Sequence, residues 1–115
     1  MDEIFLGGYK AIREMIKYHS IMLLKMPKHE KFLLANKIRG HGYDIFEGVI
    51  TLSKKLHKKT TLSDMNVKHE LLRQLINIAY ELAYIDSQKF RISQEHIDKV
   101  GKYIGYWIKK ELGNQ

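Results

Sequence analysis

The stretch KHEKFLLANKIRGHGYDIFEGVITLSKKLHKK, residues 28–59, decides how the chain is read. Within it Ala35, Ile38, Gly42, Ile45, Val49, Leu52 and Leu56 follow one another in alternating steps of three and four. That alternation is the spacing of an α-helix packing along a bundle seam. The spacing predicts one helix over residues 28–59. Gly40, Gly42 and Gly48 oppose it, each costing about 1 kcal/mol relative to alanine in a helix interior. Tertiary contact must offset that cost. Gly42 lies on the seam, where a missing side chain lets another backbone come close. The run ends in a basic cluster of Lys54, Lys55, His57, Lys58 and Lys59.

On the N-terminal side, Phe5, Tyr9, Ile12, Ile16, His19, Leu23 and Met26 form a second stripe of the same kind, which predicts a helix over residues 8–24. Pro27 separates the two, because proline lacks a donor and biases its predecessor away from helix. So short a link makes the helices antiparallel. On the C-terminal side, residues 60–64 read as a polar connection with good N-cap residues. A third helix is expected over residues 64–86. It carries two adjacent stripes, Leu71, Leu75, Ile78, Leu82, Ile85 and Leu72, Ile76, Ala79, Ala83. One seam needs less, so a second stripe is either extra core or a contact with a neighbouring subunit.

Residues 87–92 read as the third connection, and Ser93 as the N-cap of a fourth helix over residues 94–112. Ile97, Val100, Ile104, Trp107 and Ile108 point inward, Gly101 and Gly105 offer room for close helix approach, and Gly113 fits the position just past the helix end. The expected fold is therefore all-α, a single domain over residues 1–115 with up-down-up-down four-helix topology.

Composition narrows the function classes. The chain has no cysteine, which excludes disulfides, thiolate catalysis and cysteine-based zinc sites. No stretch approaches ~20 apolar residues, so no membrane span is expected. Asp2 and Glu3 are unlike the positive start of a signal peptide, and the expected location is cytoplasmic. No Asp or Glu has a histidine three residues on, as bundle di-metal sites require. His19 sits on the first seam, where a core histidine is the simpler reading. Neither a phosphate-binding glycine loop nor a nucleophile with a base at suggestive spacing occurs. No catalytic residue, cofactor or metal is expected, and the chain reads as a non-enzyme.

The charge is the positive signal. Twenty Lys+Arg against thirteen Asp+Glu leave +7, a balance that favours polyanionic partners, above all RNA or DNA. Topology gathers part of it at one pole, where the second helix ends, the third begins and the fourth ends. Lys54, Lys55, Lys58, Lys59, Lys68, Arg73, Lys109 and Lys110 are assigned to that pole. On the outward side of the fourth helix, Lys99, Lys102, Tyr103, Tyr106, Lys109 and Lys110 interleave cations with rings that can stack on unpaired bases. The candidate nucleic-acid-binding residues are Lys54, Lys55, Lys58, Lys59, Lys68, Arg73, Lys102, Lys109 and Lys110.

Three stretches also resemble a known family. Ile92-Ser93, His96-Ile97, Val100-Gly101, Ile104-Gly105 and Trp107-Ile108 look like the last helix of Avd, the accessory variability determinant of diversity-generating retroelements. Met26-Pro27-Lys28, Glu30-Lys31-Phe32, Ile38-Arg39 and Glu47-Gly48-Val49 look like the turn and second helix of Avd-like proteins. The resemblance spans residues 12–110. It is similar, too, to the four-helix proteins encoded in 23S rRNA intervening sequences, whose type would make the chain a stand-alone RNA-binding protein. The Avd resemblance implies a homopentameric ring of four-helix bundles. It implies a non-catalytic accessory that binds a reverse transcriptase and template RNA or cDNA in mutagenic reverse transcription. Its motifs are packing motifs, so no individual binding residue carries over from it.

Overall fold

The computed structural model describes residues 2–113. Four long helices, α1 (Glu3–Met22), α3 (Leu34–Ser53), α4 (Lys58–Glu81) and α5 (Ser87–Leu112), are joined by short links, and no strand occurs among the described residues. A 3-10 turn (Leu23–Lys25) and a single helical turn, α2 (Lys28–Lys31), lie between α1 and α3.

Neighbouring helices run antiparallel, as individual contacts show. Tyr9, early in α1, meets Phe46, late in α3, while Arg39 near the start of α3 donates to the Ser20 carbonyl near the end of α1. Asp44 and Gly48 of α3 face Lys68 and Met65 of α4. Asn77 of α4 accepts from Gln94 of α5, and His69 reaches Ile97. His19 of α1 bonds Ser93 of α5, and Gly8 faces Trp107. The order around the bundle is thus α1, α3, α4, α5, with α5 returning to α1.

The core is filled by the seam residues. Ala35, Ile38, Ile45 and Val49 of α3 meet Ile12, Met15 and Met22 of α1, Leu62, Met65, Leu72 and Ile76 of α4, and Ile97, Val100, Ile104 and Trp107 of α5. The seam of the opening stretch holds as far as Val49. Leu52 is half-buried and Leu56 exposed.

The element boundaries depart from expectation at both ends of that stretch. Residues 28–59 are not one helix: the chain breaks at Phe32 and Leu33, and Leu33 takes φ −116 and ψ −91. The seam explains the break. One and two turns before Ala35 stand Lys31 and Lys28, so no apolar burial holds that turn in line with α3. The break leaves Phe32 and Leu33 exposed, Phe32 at 82%. At the other end α3 stops at Ser53, and the basic cluster lies beyond it in residues 54–57 and in the first turn of α4. Residues 60–64 are not a connection but part of α4, because Leu62 is buried there and Met65 packs under Gly48.

Similar corrections apply to α5. Ser93 is no N-cap: Asp86 caps the helix by accepting from Lys89 N–H at 2.8 Å, so residues 87–92 are helical. Ser93 instead sits in the core, 2.7 Å from His19 Nε2. Gly113 does follow the last helical residue, but with right-handed backbone at φ −69. Gly105 faces open space, whereas a Cβ on Gly101 would lie 2.8 Å from His69 Cε1.

Candidate nucleic-acid interface

The α3–α4 link reverses the chain in four residues, and it does so with left-handed backbone at two of them. Lys55 has φ 60 and His57 φ 49. An L-residue pays roughly 1–2 kcal/mol for that conformation. His57 then precedes α4 without any side-chain cap, and the first turn of α4 holds no acid. Lys58 and Lys59 occupy that turn, where the helix dipole disfavours a cation. Folding alone favours none of these choices. Lys109 and Lys110, by contrast, end α5, where the dipole favours them.

The nine candidate residues fall in three places. Lys54, Lys55, Lys58, Lys59, Lys109 and Lys110 are all exposed and share the pole where α3 ends, α4 begins and α5 ends. None of these six forms an ion pair among the described residues. Lys102 is exposed on α5, about 10 Å along the helix from Lys109. Lys68 and Arg73 lie elsewhere. Lys68 stands about 15 Å along α4 from its start. It pairs with Asp44 at 3.5 Å. Arg73 is held by Asp98 at 2.8 Å and Glu70 at 3.7 Å, and donates to Gln94 at 3.0 Å. The pole assignment therefore does not hold for these two: α4 begins at Lys58 rather than at residue 64, which sets both well along the helix, where carboxylates on its flanks neutralise them. Tyr103 is half-buried against Gly7 and Trp107 rather than offered to solvent, while Tyr106 is exposed.

At the basic pole the helices leave a cleft of about 560 Å³. Lys55, Lys58 and Lys110 stand on its lining with Phe5, Leu52, Leu62 and Trp107. The sequence places Phe5, Leu52 and Trp107 on seams and reads Leu62 as part of a polar connection. The missed signal was positional: each seam's last residues meet at the pole that holds the lysines, with no further helix to cover them. A smaller recess beside the cleft is lined by His57, Lys58, Lys59, Thr60 and Glu111.

No group of three metal-ligating side chains occurs among the described residues. The buried polar pairs are structural in form. His19 is buried, and burial, reinforced by nearby His96, pushes its pKa down to about 4. His69 donates from Nε2 to the Ile97 carbonyl at 2.8 Å, across the space that Gly101 leaves open. No helix among the described residues is long and apolar enough to cross a membrane.

The sequence model of one family matches this chain, that of bAvd-like proteins, over residues 9–111. The chain belongs to the bAvd-like family. The match runs from α1 through the end of α5 and includes Lys54, Lys55, Lys58, Lys59, Lys109 and Lys110. Neither a curated protein nor a solved structure matches the chain.

Proposed function

We propose that this bAvd-like chain is a non-catalytic accessory subunit of a diversity-generating retroelement. In that role it binds the element's reverse transcriptase together with template RNA or cDNA, and supports mutagenic reverse transcription in the cytoplasm. The observation that carries this reading is the six lysines at one pole of a family member, none of them in an ion pair among the described residues. Free cations release condensed counterions from a phosphate backbone when they bind it, which gives affinity without sequence preference. Lys102 extends the same surface along α5. Lys68 and Arg73 contribute less, since binding phosphate means giving up their carboxylates.

A ring of copies, five in the reading the family favours, turns one modest patch into a multivalent surface. The outward side of α4 supports self-association. Val67, Leu71, Ile78 and Leu82 are 42–56% exposed there, at helical spacing on one line. A monomer gains nothing from that line of apolar side chains in water.

Co-expression with the reverse transcriptase of a diversity-generating retroelement tests the reading. A stoichiometric complex that retains RNA is the expected result. Two proteins that elute separately, each free of the other at low salt, contradict the accessory role.

A further inference from the structure

The cleft at the basic pole combines two chemistries that lysines alone do not need. Its floor is apolar and partly aromatic: Phe5 and Trp107 lie with ring centroids 5.5 Å apart, flanked by Leu52 and Leu62. Its rim carries Lys55, Lys58 and Lys110. Phosphate contact explains the rim and leaves the floor unexplained. The volume, about 560 Å³, matches one small-molecule-sized group rather than a folded segment.

We infer that this cleft holds one unstacked nucleobase of a single strand, while Lys55, Lys58 and Lys110 hold the flanking phosphates. The inference rests on the reading that the basic pole binds nucleic acid. A base is a flat, largely apolar surface attached to a fixed negative charge. The cleft presents the complement of both, an apolar floor beneath a cationic edge. A duplex end keeps its bases stacked and paired, so the fit is to a single strand. Two acids also line the cleft. Asp2 already accepts from Phe5 N–H at 2.7 Å, which fixes its carboxylate on the first turn of α1. Glu111 stands with Lys58 where the cleft meets the neighbouring recess.

Trp107 is the sole tryptophan in the chain, and its emission reports on this floor. The experiment titrates the protein at low salt with a single-stranded DNA oligomer, with an abasic oligomer of equal length and charge, and with polyglutamate. Affinity and Trp107 emission are read together. The expected result is that the base-bearing oligomer binds about tenfold tighter than the abasic one, the size of one stacking contact. It alone shifts Trp107 emission. Ser53→Phe, which fills the cleft from its lining, brings the base-bearing oligomer down to the abasic affinity; thermal melting confirms the variant is folded.

Equal affinities with a silent Trp107 overturn the cleft assignment and leave the lysine pole standing. Absence of binding to either oligomer overturns the nucleic-acid reading, and the cleft with it. A shift of Trp107 emission by polyglutamate as large as that by DNA assigns the cleft to an acidic protein segment and overturns the base.

Discussion

At the residue scale, three glycines of similar sequence context do different work. Gly40 has open space where a Cβ would stand, so Gly40→Ala recovers helix propensity and raises stability by about 0.5–1 kcal/mol. Gly48 is the tight point of the α3–α4 contact: a Cβ there would overlap Met65, itself buried among core residues. Gly48→Ala is expected to cost about 1–3 kcal/mol, as overpacking does. Denaturant midpoints of the two variants check both signs. The sequence marked Gly42 instead, because it lies on the seam, yet a Cβ at Gly42 meets only Ile16 at an ordinary 3.4 Å. Periodicity shows which face is buried. It does not show which residue on that face lies under a partner side chain.

His19 sets a pH dependence at the same scale. Its folded pKa, about 4, lies below the ordinary value of 6.5 because burial disfavours the imidazolium. The unfolded chain therefore binds more protons between those values, and stability falls as pH is lowered. The stabilisation is complete above about pH 6.5 and is lost toward pH 4, amounting to about 3 kcal/mol for His19. His41 and His96, both lowered mainly by burial, act in the same direction. Urea midpoints at pH 7 and pH 4.5 test this, with His19→Gln expected to flatten the difference. Parallel pH profiles for the two proteins would assign the acid sensitivity elsewhere.

At the element scale, α4 carries the main unsatisfied surface. Its two stripes, adjacent in sequence, separate over most of the helix: Leu72, Ile76 and Ala79 are buried, Leu71, Ile78 and Leu82 exposed and Leu75 half-buried. The helix ends at Glu81 rather than at residue 86, and beyond it Ile85 of the first stripe is buried and Ala83 of the second exposed. If the chain self-associates through this surface as proposed, Leu71→Lys with Ile78→Lys is expected to reduce it to monomers with no loss of helical content, since neither side chain enters the monomer core. Sedimentation velocity reads the first effect and circular dichroism the second. An unchanged sedimentation coefficient for a wild-type oligomer would place the interface on another face. The double stripe was legible in the sequence, as were the four long helices and their antiparallel order. The breaks at Phe32–Leu33 and after Ser53 were not. Apolar period continues formally through Leu56, while the chain turns where seam burial runs out and Leu62 and Met65 can pack under α3.

At the scale of the whole molecule, an elongated bundle of about 46 × 23 × 20 Å gathers at one end six lysines that form no ion pair among the described residues. Six of the nine candidate cations were assignable to that end from topology alone, because link lengths fix which helix termini coincide. Lys68 and Arg73 were not separable from them in sequence, since their neutralising partners Asp44 and Asp98 come from adjacent helices. The cleft escaped for the same reason: it exists only where the ends of all four helices meet. Lys58→Glu and Lys59→Glu suit the first turn of α4, where the dipole favours acids, whereas Lys54→Glu and Lys55→Glu follow the end of α3, where it disfavours them. Circular dichroism and thermal melting of the combined variant separate loss of binding from loss of fold. The most direct measurement is the salt dependence of single-stranded RNA binding for the wild type and this fourfold variant. The account predicts weaker binding and a log–log slope shallower by roughly 3, one fractional counterion for each lost phosphate contact. An identical slope for the two proteins would show that nucleic acid, if bound, is held somewhere other than the basic pole.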